Sequence, residues 1–368
     1  MRVTAFAILL LAANLHAAGN PRQDVVEKNE EVRVRVSPQP AFIDADASGQ
    51  SLNLDLVIDN HTAEALDLDE VQISVFDRAD KLVLRRFIDG NGTRPSIRTA
   101  DVAEVPAGGS ALVFNPFHDF APEADLHTVK FALKLSSKDG KRRYAAETSV
   151  HPEVYRAKSR LILPLAARMI VYDGHDFLAH HRRWDYTIPG LQQLGFKTNF
   201  MRYSYDFVPV DGNGNMSLGT EEKNESWPGF GMPIRAVADG VVAAVVDSNP
   251  DDRTFDPATI ATGGTMKIWG NYVVIDHGSG EHSLYGHIRN GSSRVKAGQR
   301  VHRGDVIAAI GASGSSMFPH LHFEMQTGPG TDAEGLPSSF DGFDRILGSR
   351  RVHVKSGRVY SGDIVQSR

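Results

Sequence analysis

The 368-residue chain contains no cysteine. That excludes disulfide staples, lipid attachment at a cysteine and thiolate ligands, so any metal must be held by His, Asp or Glu. Excess charge of one sign is also lacking: 40 Lys and Arg against 45 Asp and Glu leave a net charge of −5. With no basic run interleaved with aromatics, a nucleic-acid partner is excluded. Long apolar runs are absent beyond the first residues, so no transmembrane anchor is expected after signal cleavage. At the start, Arg2 precedes an apolar stretch to Ala13 and the small residues Ala17, Ala18 and Gly19. This is the form of a secretory signal, expected at 1–18, and it predicts an exported protein, periplasmic or secreted.

What is present points to β-structure in two units. A hydrophobic content of 41% over 368 residues supports two ordinary cores. Short alternating runs at 32–36, 51–58, 71–76, 81–87, 110–114, 128–135 and 143–150 are separated by Asn91-Gly92, Gly108-Gly109 and Asp139-Gly140. That spacing predicts an Ig-like antiparallel β-sandwich over 25–151. A second unit, 160–350, opens on the apolar stretch 161–170 and continues with strand-like runs at 201–210, 233–238, 240–246, 271–276, 281–287, 305–310 and 320–326. Polar excursions at 211–227 and 247–265 are long enough to wall a site. Residues 351–368 read as a tail. The expected fold class is all-β, a sandwich followed by an antiparallel sheet.

Candidate chemistry centres on Pro319-His320-Leu321-His322-Phe323-Glu324. Alternation along a strand gives His320, His322 and Glu324 one face and Leu321, Phe323 and Met325 the other. Two imidazoles sharing a face suit a metal, although such a pair is more often solvated or hydrogen-bonded structure. Arg202-Tyr203-Ser204-Tyr205-Asp206-Phe207 alternates in the same way, which predicts Asp206 on one face with Arg202 and Ser204. A carboxylate in so aromatic a strand needs a cation or an arginine as partner. Ser283-Leu284-Tyr285-Gly286-His287 adds a histidine at a strand end.

The order of these segments resembles the lysostaphin and LytM class of zinc endopeptidases, which cut peptide cross-links of bacterial peptidoglycan. The resemblance runs from about Asn199 to Gln326 through Gly231-Met232-Pro233-Ile234, Ala238-Asp239-Gly240, Gly270-Asn271-Tyr272-Val273, Tyr285-Gly286-His287, Gly298-Gln299-Arg300-Val301, Gly311-Ala312-Ser313-Gly314 and Pro319-His320-Leu321-His322. It implies zinc (Zn2+) as cofactor and peptidoglycan peptide as substrate. Asp206 and His322 would be ligands, His287 and His320 the groups that orient water and stabilise an oxyanion, and Glu324 a support behind them. The family's first ligand, a histidine four residues before the aspartate, is replaced here by Arg202, which cannot coordinate a cation. Either another histidine completes the set, His181 being assigned with His180 as the alternative, or the domain is a noncatalytic binder or activator of wall hydrolases. The N-terminal module would then offer a surface to an envelope or wall-enzyme partner.

Overall fold

A computed structural model describes residues 31–368, and the signal segment expected at 1–18 lies outside them. In the first unit, alternating apolar residues dictate the layers. Val32–Ser37, Asp55–Asn60 and Ser110–Phe114 form a three-stranded antiparallel sheet. Facing it is a sheet built on Leu66–Phe76, Leu82–Asp89, Thr128–Ser137 and Arg143–Val150. Val34, Leu56, Ile58 and Val113 of the first layer and Val71, Ile73, Phe131 and Leu133 of the second share one core. The expected 51–58 run is broken, because Gly49–Leu52 pairs with Phe42–Asp46 in a separate small sheet and a new strand starts at Asp55.

A ten-stranded sheet organises the second unit. Its order is Arg300–Val301, Gly240–Val246, Tyr272–Asp276, His282–Gly286, Leu321–Gln326, Tyr205–Pro209, Arg168–Asp173, Ile364–Ser367, Phe340–Leu347 and Arg350–Gly357. One face buries Phe207, Val273, Tyr285, Leu321 and Phe323 in the larger core. Trp269, Val274, Leu284 and Phe200 form a smaller core on the opposite face.

The segment 351–368, expected as a tail, is corrected by this sheet. Ile364–Ser367 lies hydrogen-bonded between Arg168–Asp173 and Phe340–Leu347, and Arg350–Gly357 is the outermost strand. Its pattern was legible: Val352 and Val354 alternate with polar residues after a turn at Gly348, whose φ is +61°. The expected 201–210 strand also shortens to Tyr205–Pro209. Upstream of it the chain turns, with Arg202 N–H bonded to the Asn199 carbonyl and Ser204 N–H to that of Met201.

Candidate metal centre

The strand Leu321–Gln326 buries Leu321, Phe323 and Met325 in the larger core. Alternation therefore turns His322 and Glu324 to the other face. On one side the ladder sets Asp206 opposite His322, with Asp206 Oδ1 3.2 Å from His322 Nδ1. On the other side it sets Gly286 opposite His322. The missing side chain there matters, since a Cβ on Gly286 would lie 3.2 Å from Trp269 Cε3 and 3.3 Å from His322 Cβ. In that space Trp269 stacks on the His322 ring at a centroid distance of 4.1 Å.

His320 precedes the strand and places Nε2 3.2 Å from Asp206 Oδ1, while its Nδ1 is 2.7 Å from the Phe318 carbonyl. His287 follows the strand His282–Gly286 at φ +58°, a backbone conformation that side chains seldom adopt and that costs on the order of 1 kcal/mol. Its Nδ1 lies 2.8 Å from the Ser313 carbonyl, and its ring centroid is 4.9 Å from that of His320. A carbonyl can only accept, so both rings carry hydrogen on Nδ1; His287 keeps Nε2 free, whereas His320 turns Nε2 to Asp206.

The third donor comes from the turn after Arg168–Asp173. Asp173 accepts hydrogen bonds from the backbone N–H groups of His180 and His181, at 3.3 and 3.2 Å. Its Oδ2 also lies 3.0 Å from His180 Nδ1 and 2.9 Å from His181 Nδ1. With Nδ1 turned to Asp173, His181 presents Nε2 to Asp206 Oδ1 at 3.7 Å. His181, Asp206 and His322, all buried, offer one donor atom each within 4.8 Å of one another. Donors bound at about 2.0–2.1 Å in a tetrahedron are roughly 3.3 Å apart, so spacings of 3.2 and 3.7 Å fit one ion. His180 is more exposed, with Nε2 4.0 Å from the outer oxygen of Asp206, and a second group of Asp173, His180 and His181 also has ligand spacing.

Arg202 does not share a face with Asp206. The turns before Tyr205 break the alternation, and the side chain is buried away from the centre. Its Nη1 lies 2.8 Å from Asp55 Oδ2 of the sandwich and its Nε donates to Glu334 Oε1 at 2.8 Å. Its charge is therefore met by two carboxylates and not turned to the donor set.

Residues 228–333 match the family model described as Peptidase family M23. The chain carries an M23 peptidase domain. Over 94 residues it is 36% identical to the DD-carboxypeptidase/endopeptidase Mpg of Neisseria meningitidis, covering 26% of this chain and 17% of that protein. Over 56 residues it is 48% identical to the peptidoglycan DD-endopeptidase ShyB of Vibrio cholerae, covering 15% and 13%. Over 127 residues it is 31% identical to the murein hydrolase activator EnvC of Escherichia coli, covering 33% and 26%. The chain thus spans 13–26% of the length of these relatives, and His181 and Asp206 lie upstream of the matched M23 segment.

Electrostatics at the donor cluster follow from burial against charge. Burial opposes charge on Asp206, but His181, His320 and His322 outweigh it and hold the carboxyl well below its usual range. Burial would lower His322, yet the carboxylates of Asp206 and Glu324 push it up to about 9. Burial, with His320 and His322 nearby, holds His287 well below the ordinary imidazole value. Glu324 Oε2 is 3.5 Å from His322 Nε2 and accepts a 2.6 Å bond from Ser204 Oγ. The donors open into a cleft of ≈ 150 Å³ whose walls include Tyr172, Trp184, Met317 and Phe318. Trp227 supports Phe318 from behind by stacking at 4.8 Å. Sequence reasoning missed Asp173 and Trp269. The only local signal for Asp173 is a carboxylate at a strand end shortly before two adjacent histidines.

Proposed function

We propose that this chain is a zinc metalloendopeptidase that cleaves the peptide cross-links of bacterial peptidoglycan in the periplasm or outside the cell. The observation that carries the reading is His181, which supplies the imidazole that Arg202 cannot. The donor set is then two nitrogens and one carboxylate oxygen, the composition of an open catalytic zinc site. His181, Asp206 and His322 would hold the ion, which when bound polarises a carbonyl and acidifies a water. His287, neutral and fixed through Nδ1, offers Nε2 to accept a proton from the attacking water and return it to the departing amine. His320, fixed in the same way with Nε2 3.2 Å from Asp206, is placed to donate to the tetrahedral oxygen when Nε2 also carries hydrogen. Glu324 and Asp173 orient the two ligand rings from behind.

Among the described residues no helix is long and apolar enough to cross a membrane, which fits the expected export. The rival reading, a noncatalytic activator like the EnvC relative, drew its force from Arg202. The pairing of that guanidinium to Asp55 and Glu334 favours the catalytic reading over it. Purified protein is expected to hold about one zinc ion per chain, and to release peptides from peptidoglycan until a chelator is added, with zinc restoring cleavage. Folded protein that neither binds added zinc nor cleaves would leave only the activator.

A further inference from the structure

We propose that the N-terminal sandwich is a working part of the metal centre: Asp55 is a positioning residue that holds His181 through Arg182, so zinc affinity depends on a carboxylate from the other unit. The inference rests on reading His181, Asp206 and His322 as the metal donors.

The strand Asp55–Asn60 points Leu56 and Ile58 into the sandwich core. Its alternate residues Asp55 and Val57 face outward, yet both are fully buried. What covers them is the segment that carries His180 and His181. Val57, Leu112 and Phe114 of the sandwich form one apolar cluster with Tyr186, and Phe177 and Trp184 pack on it. Inside this cover Arg182 is fully buried, donating to Asp55 Oδ1 at 2.7 Å and to the Leu54 carbonyl at 2.7 Å. Arg183 lies over the Phe114 ring at 4.9 Å and pairs with Asp101.

Two arginines meet two carboxylates in this network, because the second oxygen of Asp55 takes Arg202 and Arg202 also takes Glu334. One carboxylate thus keeps Arg202 out of the centre and anchors the residue adjoining its replacement ligand. The segment is pinned from the peptidase side as well: Asn199 Nδ2 donates to the Arg182 carbonyl at 3.0 Å, and Asp173 holds the His181 N–H. Consecutive Cα atoms are about 3.8 Å apart, and a metal tolerates ligand displacements of about 0.2 Å. Without Asp55, Arg182 is a buried charge with no counter-ion and must move toward water, and His181 moves with it.

Zinc affinity of the full chain, measured by competition with a chromophoric chelator alongside thermal melting, tests this. Asp55→Asn keeps the shape and removes the charge, and its dissociation constant is expected to rise about 10- to 100-fold. Asp46→Asn is the control, since Asp46 joins the same two units through Arg358 but has Ser48, Arg358 and Tyr360 as side-chain partners and none in the segment that carries His181. It should lower the melting temperature and leave zinc affinity unchanged. Wild-type affinity in folded Asp55→Asn overturns the proposal, as does an equal loss in Asp46→Asn, which would make general loosening the cause. Should Asp55→Asn fail to fold, Arg182→Lys decides: it keeps the charge but cannot span both Asp55 and Leu54, so zinc binding weakens if the proposal holds and is unchanged if it does not. A wild-type chain that binds no zinc overturns the functional reading itself.

Discussion

His181 is 4% exposed and held by Asp173 on one nitrogen, whereas the His180 side chain is 63% exposed. Only the buried ring has its free nitrogen 3.7 Å from Asp206 Oδ1. His181→Ala is therefore expected to abolish zinc binding, and His180→Ala to retain it, as read by metal analysis of the purified variants. Retention by His181→Ala together with loss by His180→Ala would transfer the ligand role. His322 gives a second expectation. With its imidazole raised to about 9 in the metal-free protein, zinc must displace one proton from it. Zinc affinity should then climb about tenfold per pH unit from neutrality and level off near pH 9. Affinity that is flat over that range would mean His322 is already neutral.

Strands decide which residues can meet. The pairing of Tyr205–Pro209 with Leu321–Gln326 delivers Asp206 to His322, and both were legible because each strand alternates cleanly between aromatic and polar positions. His181 could be assigned only by what the donor set lacked, since its geometry depends on Asp173 at the end of a neighbouring strand. The orientation of Arg202 was hidden for a related reason: its partner Asp55 lies in the other unit, and a turn rather than a strand carries it. Ile364–Ser367 shows a further limit, because its place between two earlier strands follows from long-range pairing and not from local pattern. Proline at Val365, a residue with no exposed surface, removes a ladder donor beside the strand that ends in Asp173. The expected outcome is loss of about 3 kcal/mol or more of stability, measured by urea unfolding. A variant as stable as the parent would return this segment to the status of a tail.

The two units share more than a linker. Arg358 reaches Asp44 and Asp46, and Asp55 pairs with Arg182 and Arg202, all three of them fully buried. Charges buried in pairs are costly to separate, so neither unit can open alone without exposing the other's partners. Scanning calorimetry is expected to give one cooperative transition for both units; two well-separated peaks would show independent domains. The strand order carries a consequence in time. Ile364–Ser367 stands between the strand leading to Asp173 and the strand Phe340–Leu347, both of which leave the ribosome before it. The histidine and aspartate donors are all translated while the sheet that must hold them is still incomplete. During synthesis these donors are thus a set without a frame, and Ile364–Ser367 is the strand that closes it.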